Sequence, residues 1–282
     1  MEWNQPLFLI LVFQTLLIAS DAFLRNSSIF DLDIFDYDEF RRSDAAKTKN
    51  KCVDTAKEIA KAEDCFDYFT LAVIWTFGYG YKQKLKGIKI RDNLGGQWVI
   101  HGLWPSWLHE ENPNCVRYDQ VFVEYRLKNE KFKGPLKDDN LHQFLSENWF
   151  SIIKRPAKNL WDYEFKAHGS CATRAKKINN DVGYYREALR LFFNLDLKVL
   201  FSNNKFYAGD KKKLSEIVEM LRTKVTKTVK VDYTKQKGGT ENYLTELFIC
   251  YNINLEPIDC PYLGKQVRNG NLEITFPKNL PK

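Results

Sequence analysis

The chain has 282 residues, of which 44% are hydrophobic, 28% charged and 15% aromatic, and 43 basic residues against 36 acidic ones give a formal charge of +7. This balance excludes collagen-like, coiled-coil and largely disordered chains, and the length suits one large domain or two small ones. A single long apolar run excludes a protein built from many membrane helices.

That run, Leu7 to Ala19, reads LFLILVFQTLLIA. It is short for a span, lies at the N-terminus and ends in Ser20, Asp21 and Ala22, so residues 1–22 are expected to be a signal peptide cleaved after Ala22. An uncleaved anchor is the alternative, because the segment before the run holds Glu2 and neither Lys nor Arg. Removing residues 1–22 takes away two acidic residues and no basic ones, leaving a more basic mature chain with no membrane span. Such charge favours polyanionic partners, although lysines spread this evenly also suit a solvated surface. Asn26-Ser27-Ser28 is a glycosylation sequon. Residues 23–64 are expected to form an N-terminal extension. Asp31, Asp33, Asp36, Asp38 and Glu39 alternate with apolar residues before a basic stretch, as in a mobile segment or pro-region; a short edge strand is the alternative.

The first core element is expected at Phe69–Phe77, a β-branched and aromatic run closed by Gly78 and Gly80. A second strand is expected from Gln97 to Trp104, stopped by Pro105. Helices are expected over Leu160–Ser170, over Asp181–Leu195 with Asp181 as cap, and over Lys212–Val225. In the last, Leu214, Ile217, Val218 and Leu221 form an apolar stripe and Asp210 is a candidate cap. Tyr243–Ile253 alternates like a strand, and Leu272–Phe276 makes a short one before Pro277. Helices and strands mix without a regular βαβ rhythm, which points to an α+β fold. The six cysteines, Cys52, Cys65, Cys115, Cys171, Cys250 and Cys260, point to disulfides behind a signal peptide, and their spacing alone leaves the connectivity open. None shows a zinc or redox spacing.

Four histidines are present: His101, His109, His142 and His168. His101 lies in WVIHGLWP and His168 in YEFKAHGSC, both among aromatics and glycines. On an α-helix Glu164 and His168, four residues apart, share a face, with Trp161 and Phe165 on nearly the same stripe. A carboxylate one turn before an imidazole can orient it and raise its pKa, as acid–base chemistry requires. The His-Glu-x-x-His spacing of zinc proteases is missing, and no metal site is expected.

WVIHGLWP resembles the first active-site segment of the Ribonuclease T2 family of secreted acid ribonucleases, and YEFKAHGSC the second, usually His-Glu-Trp-x-Lys-His-Gly-Thr-Cys. DCFDYFTLAVIW, residues 64–75, is similar to that family's first core strand. LFICYNINLEPIDCP, residues 247–261, is similar to its late strand with a short disulfide. The resemblance implies one catalytic domain over residues 65–282, a central and mostly antiparallel sheet flanked by helices and stabilised by disulfides. By resemblance His101 and His168 exchange protons, Glu164 stabilises the charged transition state, and Trp104 stacks on a base. It also implies Cys115–Cys171 and Cys250–Cys260, which leaves Cys52 and Cys65 to pair.

Several positions depart from the family pattern. Tyr163 replaces its His, Phe165 its Trp and Ser170 its Thr; Ala167 stands in place of its Lys, with Lys166 one position early. Ser106 replaces an Asp after Trp-Pro, and Ile74 and Thr76 replace a Gln and a Pro. The implied reaction needs no metal or cofactor. A ribose 2′-OH attacks phosphorus, His168 takes its proton and His101 protonates the leaving 5′-oxygen, passing through a 2′,3′-cyclic phosphate to a 3′-phosphate. Lys166, Tyr163 and protonated Glu164 are the candidate donors to the phosphoryl oxygens. DNA lacks the nucleophile, so the expected partner is single-stranded RNA bound by a monomer, with bases stacked on Trp104 and then Trp107. The expected location is outside the cell or in the lumen of a lysosome-like compartment. A secreted RNA- or glycan-binding effector with weak or no catalysis is the competing reading. Tyr163 and Ala167 favour it, and the presence of His101, Glu164 and His168 opposes it. A secreted metal-dependent hydrolase is a third.

Overall fold

A computed structural model describes residues 65–108, 139–154, 156–263 and 269–282. All of these belong to one compact unit spanning 49–282. The signal segment, the whole extension 23–64 with Asn26 and Cys52, and His109 and Cys115 lie outside the described residues.

Strand β1 (Tyr68–Trp75) is buried along its whole length, as its continuous apolar run demands. The chain then turns directly into helix α1 (Thr76–Leu85), so the expected strand ends two residues early. Gly78 and Gly80 do not close the strand as expected; both sit inside this helix. A side chain at Gly78 would strike the Leu244 carbonyl, so glycine lets α1 lie directly on the sheet. Strand β2 (Trp98–Ser106) runs back antiparallel to β1 and continues through Pro105. It is an edge strand, where a missing N–H breaks no ladder.

Helix α2 (Asp139–Asn148) follows, then α3 (Ala157–Glu164), a π-helical turn (Phe165–Gly169) and a last turn (Ser170–Ala172). Helix α4 (Asp181–Leu195) has the expected bounds, but its cap is Asn180, whose Oδ1 accepts the Gly183 N–H at 2.7 Å. After α5 (Leu197–Asn203) and β3 (Lys211–Lys213), helix α6 (Leu214–Val225) begins at Leu214. Its start is closed by Glu216, which accepts the Lys213 N–H at 2.8 Å; Asp210 instead accepts from Tyr207 N. Strands β4 (Lys230–Lys235), β5 (Asn242–Tyr251), β6 (Pro257–Ile258) and β7 (Glu273–Thr275) complete the chain.

The sheet has seven strands in the order β2-β1-β5-β7-β3, with β4 and β6 also paired to β5. Every pairing is antiparallel except β5 with β7, joined in parallel at Tyr243 and Thr275. The α+β expectation of a central, mostly antiparallel sheet flanked by helices therefore holds. Alternation divides the sheet into two faces. Phe69, Leu71 and Val73 of β1 share the main core with Leu247 and Ile249 of β5 and with Ile100 and Leu103 of β2. Trp149, Trp161, Tyr184 and Tyr185, all fully buried, fill the space behind them. Cys250 and Cys260 form the expected disulfide, with Cα atoms 5.1 Å apart. Cys65 and Cys171 are also disulfide-bonded; their expected partners, Cys52 and Cys115, lie outside the described residues.

Candidate active site

A one-residue irregularity in β2 aims the first histidine. Val73 of β1 pairs with Ile100 and Ala72 with Gly102, so His101 has no partner on β1 and forms a β-bulge. An extra residue lets Ile100 and Leu103 both reach the core while His101 turns to the opposite face beside Trp104. Core side chains hold the altered backbone. Trp149 Nε1 donates to the His101 carbonyl at 2.9 Å, and the Tyr184 hydroxyl to that of Leu103 at 2.9 Å.

The second histidine lies in the π-helical turn, where the sequence pattern implied an ordinary α-helix. One extra residue per turn widens the helix at this point, a distortion common at functional sites. His168 is 8% exposed and Glu164 2%. The indole of Trp104 stands between the two histidines, with ring centroids 5.1 Å from His101 and 5.3 Å from His168. Its Nε1 donates to Glu164 Oε2 at 3.0 Å. Both the indole and this carboxylate lie directly over Gly102, where any side chain would collide with them.

Sequence reasoning expected Glu164 to raise the pKa of His168. Instead, burial first and then the charge of His101 lower the His168 pKa to about 3. The close carboxylate–imidazole contact belongs to the other histidine: Glu246 Oε1 lies 2.5 Å from His101 Nδ1. Burial pushes the His101 pKa down, but the charge and hydrogen bond of Glu246, with the charge of Glu164, outweigh it and hold the pKa above 6.5. Lys82 opposes that rise. The Tyr79 hydroxyl stands 3.4 Å from His101 Nε2. Glu246, 3% exposed, was not singled out from sequence. Its signal was a lone carboxylate inside the apolar strand YLTELFICY, a residue type almost never buried without a partner.

A cleft of about 370 Å³ opens on this face of the sheet, lined by His101, Trp104, Lys82, Lys86, Lys230 and Tyr262 among others. A smaller apolar hollow of about 160 Å³, lined by Ile74, Tyr79, Phe150 and Leu160, also touches His101. Three expected base-binding or phosphate-binding residues, Trp107, Lys166 and Tyr163, are elsewhere. Trp107 is 6% exposed in the core, its Nε1 bonded to the Cys65 carbonyl at 2.5 Å, because the chain folds inward at the end of β2. Lys166 is exposed on the outer side of the π turn, whose inner side buries Ala167 and His168. Tyr163 is 52% exposed and does not line either hollow. His142 lies edge-on to Trp161 at 5.4 Å, also away from the cleft.

Residues 66–260 match the model of the Ribonuclease T2 family. Ribonuclease S-2 of Antirrhinum hispanicum is 29% identical over 202 residues, covering 70% of this chain and 77% of the relative. Among solved structures, Japanese pear S3-RNase superposes with a TM-score of 0.60 at 23% identity, over 74% of this chain and 99% of the other. RNase NT in complex with 5′-AMP gives 0.59 at 18% identity, over 75% and 98%; these two likenesses carry the fold. With the family model spanning most of the chain and both histidine segments within it, the chain belongs to the Ribonuclease T2 family of endoribonucleases.

Proposed function

We propose that this is a secreted, metal-independent endoribonuclease that acts as a monomer on single-stranded RNA, with His101, His168 and Glu164 as its catalytic residues. In this reading residues 1–22 direct secretion, or entry to a lysosome-like lumen, 23–64 form an extension with Asn26 glycosylated, and 65–282 carry catalysis. The observation that carries it is the placement of two histidines on one indole, with ring centroids 5.1 and 5.3 Å away. His168, neutral above about pH 3, can take the 2′-OH proton. His101, whose pKa Glu246 raises, can give its Nε2 proton to the leaving 5′-oxygen. The roles then reverse as water opens the 2′,3′-cyclic phosphate to a 3′-phosphate. Hollows on two sides of His101 suit the nucleosides flanking the scissile phosphate. Trp104 offers a ring to one of them, while Lys82, Lys86 and Lys230 supply positive charge along the cleft. Glu164 fixes the Trp104 ring and adds negative charge that favours protonated His101. No helix among the described residues is long and apolar enough to cross a membrane.

The test is cleavage of RNA homopolymers by the purified mature chain, with and without EDTA, with DNA as control and the ends identified. Cyclic phosphate products formed in EDTA are expected. Products with 5′-phosphate ends, or activity abolished by the chelator, would overturn the proposal. His101→Ala and His168→Ala should each cost about 10²–10⁴-fold in rate, and His142→Ala little.

A further inference from the structure

Three strands and one helix converge on Nδ1 of His101, at the wall of the cleft. Glu246 lies on β5 opposite Ile74 of β1, which places its carboxylate beside the β2 bulge. A second bulge lies next to it: Asp232 of β4 pairs with Glu246 and Tyr233 with Leu244, leaving Thr245 as the extra residue. The Thr245 hydroxyl is 3.3 Å from Asp232 Oδ2. Lys82, from α1, sits 2.5 Å from Asp232 Oδ2 and 3.9 Å from Glu246 Oε2. A cluster of two carboxylates and one ammonium, of which Glu246 is buried and Lys82 and Asp232 are half-buried, therefore ends on the imidazole.

We propose that Glu246 is the positioning residue of His101, holding Nδ1–H toward β5 and Nε2 toward the cleft, with Lys82 and Asp232 setting how strongly its charge acts. This rests on the ribonuclease reading and assigns the residue that makes one histidine the acid. When Nε2–H passes its proton to the leaving oxygen, the imidazole becomes neutral and keeps Nδ1–H on Glu246. In the second step Nε2 takes a proton from the attacking water, and Glu246 never carries one. Other charges face this imidazole. Glu164 and His168 face it from the helical segment, Lys86 and Tyr79 from α1 and Lys230 from β4. Of these, Glu164 raises its pKa alongside Glu246, and Lys82 lowers it. Among the described residues Glu246 alone touches Nδ1 with a charge, so its removal has a sign that differs from removal of Lys82.

The experiment follows the imidazole Cε1–H NMR signals of His101 and His168 against pH in the full mature chain, together with RNA cleavage. Glu246→Gln should lower the His101 midpoint by about 1–2 pH units, since an adjacent opposite charge shifts a group by that order. Lys82→Met should raise it. At neutral pH Glu246→Gln should reduce kcat about 10-fold or more with KM within about threefold, and bring the alkaline limb of the rate profile down with the NMR midpoint. Glu246→Asp should recover part of both. If Glu246→Gln yields no folded protein, Glu246→Asp and Lys82→Met must still move the midpoint in opposite directions. An unmoved midpoint, shifts of the same sign in both variants, or a rate loss that scales the whole profile without moving its limb would overturn the assignment. Should the wild type cut no RNA, the ribonuclease reading fails, while the midpoints still decide the role of Glu246.

Discussion

Gly102→Ala places a single methyl group where the site is most crowded. The ideal Cβ position at Gly102 lies inside contact distance of Trp104 Nε1 and Glu164 Oε2, two atoms already hydrogen-bonded to each other at 3.0 Å. Neither can move cheaply. The indole is flanked by His101 and His168, and the carboxylate is 2% exposed at the end of α3. Relief therefore requires the ring and the carboxylate to separate. Forcing a methylene into a packed site costs about 1–3 kcal/mol, and weakening a hydrogen bond to a charge adds to this. The expected destabilisation is about 2–4 kcal/mol, or a fall in Tm of roughly 5–15 °C for a domain of this size. The imidazoles on either side of the ring would be displaced with it, and misplacement by about 1 Å can cost on the order of 10²-fold in rate. Thermal unfolding and single-turnover RNA cleavage measure the two effects. Gly95→Ala is the control, since nothing lies within 4 Å of a Cβ there. A Gly102→Ala protein with wild-type Tm and rate would refute the placement of Trp104 and Glu164 over this residue.

The rate should follow an asymmetric bell with an acidic centre. Activity that needs neutral His168 falls as pH drops through about 3, and activity that needs charged His101 falls as pH rises through a pKa above 6.5, with a plateau between; a rate that fails to fall on either side of that plateau would contradict the two-histidine assignment. Trp107→Phe should destabilise the fold by about 1–2 kcal/mol for the lost buried hydrogen bond and leave KM for RNA unchanged; a raised KM at constant stability would return Trp107 to the substrate. Lys166→Ala should leave kcat within about threefold, because an exposed ammonium is screened from the buried turn; a severe loss would show that this lysine reaches the phosphate.

The sequence by itself carried the class of fold, most of its principal elements and the identity of both histidine segments. These are local properties. A fully buried strand reads as a continuous apolar run, as at Leu71–Trp75, and an amphipathic helix as a stripe, as at Leu214–Val225. Trp104 and Glu164 could be named because they sit within a few residues of the histidines. What the tertiary structure alone decided depends on register and on faces. The bulge at His101 exists only as a mismatch between β2 and β1, and no property of WVIHGLWP taken alone shows it. The fate of Trp107 and Lys166 turned on which side of a chain segment meets the core, which a tryptophan beside a motif and a lysine one position early do not reveal. Glu246 lies 145 residues from His101 along the chain. Only the pairing of β1 with both β2 and β5 brings that carboxylate to the imidazole, so the charge that sets His101 apart from His168 is a property of the sheet.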